Sequence, residues 1–133
     1  MKIAIVAARL LLGLPLVVFG LNGFLHFIEP PADGMPERAV DFLAALEGSG
    51  YLVELKSAVE VVAGLMLLLG RFVPFALVVF APIMVNIVAF HLFLDEPAKG
   101  VVGYVMLGLH LFLAWAYWPS FRGVLAARGA QRS

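Results

Sequence analysis

The apolar positions of the chain gather into four long runs divided by short polar breaks: Leu10 to Ile28, Leu52 to Leu69, Phe72 to Leu94 and Gly100 to Trp118. Each is close to the roughly 20 residues that carry an α-helix across about 30 Å of hydrocarbon. The pattern predicts one domain over residues 1–133, an all-α integral membrane four-helix bundle of up-down topology. A closed barrel is the other form a bilayer accepts, but its strands alternate apolar and polar residues, and "VAGLMLLLG" does not.

The breaks define the connections. "LGRFVP" and "DEPAKG" are short enough to force antiparallel neighbours. The break over residues 29–50 is larger and opens with a turn cluster, "EPPADGMP". After it the pattern predicts a short amphipathic helix over 36–47. Pro36 suits the first turn, and Ala39, Val40, Phe42, Leu43 and Leu46 share one broad face. Glu37, Arg38, Asp41 and Glu47 fall elsewhere, and Gly48 can end the helix. Such a helix lies flat in the interface or over the bundle mouth, as a connector that buries its apolar side or as a lid on a cavity.

Details within the runs add to this. Tyr51 and Tyr104 fall near one boundary and Trp115, Tyr117 and Trp118 near the other, as aromatic belts do. Gly13 and Gly20, seven apart, let a neighbouring helix approach the first span closely. Pro15, Pro74 and Pro82 kink or open their helices, and the stretch from Pro82 to Asn86 is a candidate for loosening.

Composition explains why the runs need lipid. The 133 residues are 63% hydrophobic and 14% charged, with mean hydropathy +1.03, more apolar side chain than a soluble domain this small can hide. The lipid bilayer is therefore the first partner. The opening "MKIAIVAARLLLGLPLVVFG" has the lysine and apolar run of a signal peptide, but Arg9 interrupts the run and the apolar stretch beyond it is long enough to span. Lys2, Arg9, Arg71, Arg122, Arg128 and Arg132 lie on one side of the predicted membrane. The other side has Arg38 and Lys99 among Glu29, Asp33, Glu37, Asp41, Glu47, Asp95 and Glu96. The basic side is expected to be cytoplasmic, with both termini there. No basic stripe suggests nucleic acid, and with no cysteine the chain cannot itself exchange thiols.

Against this background the polar residues at membrane depth stand out. Counting rises from the outer boundary places His26, His91 and Lys56 in the outer third, with Glu54 nearer the headgroups; Asn22, Asn86, Glu60 and His110 come deeper. Asn22 and His26 share a face, as do Lys56, Glu60 and Gly64, while Gly103, His110 and Tyr117 recur every seven. Asn86 and His91 diverge by about 140° and need not point the same way. A charge at the centre of a membrane helix costs roughly 2.5 to 3.5 kcal/mol on insertion scales, so Lys56 and Glu60 are expected to face the bundle interior and pair. Two readings fit such a pair: an ion pair that fixes helix register, or a polar cavity open to the outside that binds a small molecule or moves protons. The candidate lining of that cavity is Glu60, Lys56, His91, His26, Asn22, Asn86 and His110.

Three histidines on three helices also raise a metal or haem site, but an intramembrane histidine more often bonds across helices. The sequence has no HExxH, CxxCH, phosphate-cradling loop or serine hydrolase arrangement. No catalytic residue is assigned, and neither a covalently bound cofactor nor haem or metal is expected.

Over positions 9 to 118 the chain resembles the DoxX/DoxX-like family of small four-helix membrane proteins. The resemblance rests on "ARLLLGLPLVVFGLNGFLHF", "LKSAVEVVAGLMLLLG" and "IVAFHLFLDEPAKG". The spacing Lys56, Glu60, Gly64, followed by Phe90-His91 and Asp95 to Pro97, also resembles a segment of the eukaryotic nicotinic-receptor assembly chaperone. The resemblance implies a bacterial inner-membrane protein, in several cases tied to thiosulfate or thiol oxidation with electrons passing to quinone, or to a redox-protective membrane complex, and hence soluble or membrane redox partners. It leaves three functions to compare: a membrane subunit of a quinone-linked redox system, a non-enzymatic assembly or chaperone factor, and a small-solute carrier.

Overall fold

A computed structural model describes residues 1–28 and 34–132; most of the expected turn cluster, including Glu29 and Asp33, lies outside the described residues. The fold is all-α, with no strand among those residues. Its elements are α1 (Lys2–Leu25), α2 (Glu37–Gly48), α3 (Leu52–Leu69), α4 (Val73–Ala89), a π turn (Phe90–Leu94), a 3-10 turn (Pro97–Gly100), α5 (Val101–Ala116) and the short α6 (Trp118–Phe121). Among the described residues, three helical stretches are long and apolar enough to cross a membrane: Lys2–Leu25, Val73–Leu94 and Pro97–Ala116. The 18 residues of α3 rise about 27 Å but carry Glu54, Lys56 and Glu60, and α3 does not join that set.

Two boundaries differ from the sequence expectation. The first helix starts at Lys2 rather than Leu10, because "IAIVAA" continues its apolar face. It also ends at Leu25 rather than Ile28. His26 takes the left-handed conformation (φ 53°) and donates its backbone N–H to Asn22 O, a conformation in which histidine is enriched. Asn22 Oδ1 then accepts the Ile28 N–H at 2.6 Å, so the side chain closes the helix end.

Packing runs around a ring: α1 against α3, α3 against α4, α4 against α5, and α5 back to α1. The α1–α3 contact is the most extensive, and it depends on missing side chains. A Cβ on Gly64 would stand 2.8 Å from Gly13 O and 2.9 Å from Val17 N, so the two backbones touch. Leu12, Leu16, Leu67, Phe80, Met84 and Leu113 fill the centre. Leu11, Leu65, Phe75, Val85 and Leu111, by contrast, are exposed on the outside of all four helices. An outer surface this apolar requires hydrocarbon around it.

The α3–α4 turn is tight. Gly70 is left-handed (φ 71°), and Arg9 of α1 donates from Nε to Leu67 O at 3.1 Å. A guanidinium thus satisfies a carbonyl in the last turn of α3 and neutralises the negative end of its dipole. Arg9→Leu is expected to cost about 1–2 kcal/mol, read as a lower melting midpoint in detergent; an unchanged midpoint would show that water serves the carbonyl equally well.

Loosening occurs later in α4 than Pro82. The helix stays regular through Ala89, and Asn86 bonds back from Nδ2 to Pro82 O at 2.8 Å. At the far end the backbone widens, and the Asp95 N–H reaches Phe90 O, five residues back, at 2.9 Å. Such π turns are rare and concentrate at functional sites.

Candidate functional site

Beside this π turn lies a cavity of about 490 Å³, between α2, α3 and α4. Its apolar walls are Phe42, Leu43 and Leu46 from α2, Leu52 from α3, Ile83 and Ile87 from α4, and Phe90 from the π turn. The helix expected to be a connector or a lid therefore forms one wall. It buries Ala39, but Val40, expected on the same face, is exposed. Two contacts hold it in place: Arg38 Nη2 donates to Phe93 O at 3.1 Å, and the Phe42 and Phe90 rings sit 5.9 Å apart.

Three polar side chains interrupt the apolar lining: Lys56, Asn86 and His91. Behind Lys56, one helical turn deeper, its Nζ meets Glu60 Oε1 at 2.8 Å. The lysine side chain is 42% exposed and the glutamate 3%, so the cation faces the opening and the carboxylate the packed interior. Glu60 Oε2 is buried with no hydrogen-bond partner among the described residues. Past the end of α4 the arrangement repeats: His91 Nδ1 in the π turn lies 3.4 Å from Asp95 Oδ2, again four residues on. Each side of the cavity thus has a base at the wall and a carboxylate behind it.

Of the seven residues expected to line a common pocket, the structure brings Lys56, Asn86 and His91 to one cavity, with Glu60 bonded to the first. Asn86 and His91 both line it despite their spacing. Asn22 and His26 sit at the C-terminal end of α1. His110 is buried in the core, its ring 6.0 Å from Phe80, and Nδ1 has no partner among the described residues. The three histidines do not converge, and no three of His, Cys, Asp or Glu gather into a metal-ligating group among the described residues. Sequence reasoning missed Asp95, counted there only as a loop acid, and the aromatic pair Phe42 and Phe90. For Asp95 a signal existed: it follows His91 at the same four-residue spacing that links Lys56 to Glu60.

Chemically, the cavity can hold a flat, mostly apolar group, hydrogen-bond its polar atoms from two walls, and exchange protons at either. Its volume falls within the roughly 300–1,000 Å³ of small-molecule sites. A family model described as DoxX matches residues 4–92, which includes Lys56, Glu60, Asn86 and His91 and stops short of Asp95. Comparisons with curated proteins and with solved structures found no match.

Proposed function

Because the chain belongs to the DoxX family of membrane proteins, we propose that its cavity binds the headgroup of a quinone and that the protein is the membrane subunit of a quinone-linked redox system. In this reading α3 is a fourth crossing, antiparallel to its neighbours, and the bundle sits in a bacterial inner membrane with both termini cytoplasmic. Lys2, Arg71, Arg122, Arg128 and Arg132 fall on that side, and the cavity then faces the outer surface.

The observation that supports the reading is the pairing of Lys56 on α3 with buried Glu60, and of His91 in the π turn with buried Asp95, at one cavity whose lining is otherwise apolar but for Asn86. A quinone has two carbonyl oxygens on opposite edges of a flat ring. Lys56 Nζ donates to one; the His91 ring donates to the other as the imidazolium and, once the quinol has formed, accepts from its hydroxyl as the neutral ring. Reduction to quinol takes up two electrons and two protons. The protons come from the two base–carboxylate pairs; the electrons come from a partner that oxidises thiols or thiosulfate, since this chain has no cysteine.

Protein purified in mild detergent is expected to bind a quinone analogue, and Glu60→Gln to slow quinone reduction by the host complex at least tenfold. Absence of analogue binding together with an unchanged rate in the variant would end the quinone reading. Stable co-purification of a client membrane protein would then favour an assembly factor, and solute flux in proteoliposomes a carrier.

A further inference from the structure

Asp95 stands outside the cavity, in the loop that ends the π turn, yet its side chain is only 6% exposed. Its Oδ2 lies 3.4 Å from His91 Nδ1. Neither His91 Nδ1 nor Asp95 Oδ1 has a hydrogen-bond partner among the described residues. Lys99 Nζ stands 4.0 Å from Oδ1, but that ammonium is 41% exposed and donates to Gly34 O at 2.8 Å. It is further shared with Glu96, at 3.8 Å, while the guanidinium of Arg38 is engaged on Phe93 O. A carboxylate this buried requires a donor, and the imidazole is the group placed to supply one. At 3.4 Å the contact is longer than a well-formed N–H···O bond; such contacts in ligand-free sites tighten when a ligand binds.

The ring is also confined. A Cβ on Gly100 would meet His91 Cβ at 2.8 Å, and one on Gly103 would lie 3.9 Å from His91 Cδ2, so the start of α5 closes against the histidine. On another side the Phe90 ring meets it edge-on, with centroids 5.3 Å apart. The start of α5 and the Phe90 ring thus bound the imidazole on two sides. With Nδ1 turned toward Asp95, Nε2 is the nitrogen left for a ligand in the cavity.

A neutral imidazole has one donor and one acceptor, and a carboxylate beside Nδ1 selects the tautomer with its proton there. We infer that Asp95 is a positioning residue for His91: it keeps the proton on Nδ1, presents an unprotonated Nε2 to the cavity, and so selects a ligand that offers a hydroxyl at that wall. On the quinone reading, on which the ligand's identity rests, that group is a hydroxyl of the quinol. Its proton passes to Nε2, giving an imidazolium beside the Asp95 carboxylate and leaving the quinol oxygen as an anion; the reverse step returns the proton to that oxygen. Asp95 lies four residues on from His91, at the loop end of the π turn. Glu60, by contrast, lies one turn deeper than Lys56.

The test uses the full chain in mild detergent with ring-15N histidine, His91 being assigned by the signal lost in His91→Gln. In its neutral form wild-type His91 is expected to show a protonated Nδ1 and a bare Nε2. Asp95→Asn moves the proton to Nε2, whereas Asp95→Glu keeps it on Nδ1. A short-chain benzoquinol is expected to bind at least tenfold more weakly to Asp95→Asn than to wild type or Asp95→Glu. A protonated Nε2 in the wild type overturns the inference without any variant having to fold, as does a tautomer indifferent to Asp95→Asn. If the tautomers behave as stated but wild-type protein ignores the benzoquinol, the quinone reading falls and the role of Asp95 stands.

Discussion

Lys56→Met is expected to destabilise the protein by about 2–3 kcal/mol, more than Glu60→Gln does. Removing the lysine strands a carboxylate that is 3% exposed and whose second oxygen already lacks a partner. Breaking a fully buried pair from one side costs roughly 3–5 kcal/mol; the lower figure here reflects a lysine side chain that is 42% exposed and partly screened. The double change Lys56→Met/Glu60→Leu removes both charges, and an apolar pair of similar volume is expected to restore wild-type stability or exceed it. Melting midpoints in detergent for the two singles and the double close the cycle. If Lys56→Met melts with the wild type, Glu60 has found another donor and the pair does not hold α3 in register. If the double recovers stability but loses quinone-analogue binding, the charges serve the cavity rather than the fold.

The second large effect concerns the α1–α3 contact. Gly64→Leu is expected to cost about 3 kcal/mol or more, because overpacking costs roughly 1–3 kcal/mol even where side chains can shift. Here the obstacles are backbone atoms, Gly13 O at 2.8 Å and Val17 N at 2.9 Å, and they move only if the helices part. The expected readout is little folded protein, or a midpoint far below wild type. Gly108→Ala is the matched control: nothing lies within 4 Å of the added carbon, and alanine favours the helix, so stability should hold or rise slightly. A tolerated leucine at 64 would show that the two helices have slack between them.

Much of the fold was legible in the sequence because hydrocarbon imposes a simple rule. Four apolar runs became α1, α3, α4 and α5, and the amphipathic stretch after Pro36 became α2. The pairing of Lys56 with a buried Glu60 could be anticipated from the cost of a charge among acyl chains, but Lys56, expected in the interior as well, faces the opening with its side chain 42% exposed. What escaped was everything that depends on where a helix stops. Depth counting assumed a regular helix through Ile28, so Asn22 and His26 were assigned to the candidate lining, whereas the backbone turns left-handed at His26 and uses Asn22 to finish the helix. The π turn was invisible for a related reason: one widened turn leaves the apolar pattern of "FHLFL" intact while bringing Asp95 to His91. For His110 a count of depth carried no information about its neighbours, and its ring rests on Phe80 in the core rather than at the cavity.

The glycine seam between α1 and α3 bears on biogenesis. Residues 52–69 emerge from the ribosome as a poor candidate for independent insertion, since Glu54, Lys56 and Glu60 arrive within the first nine positions. Their companion is already in place, because α1 is made first and offers a groove of small residues into which that segment nests. On the four-crossing reading, entry of the charged segment is templated by its predecessor, and chain order becomes part of the folding code.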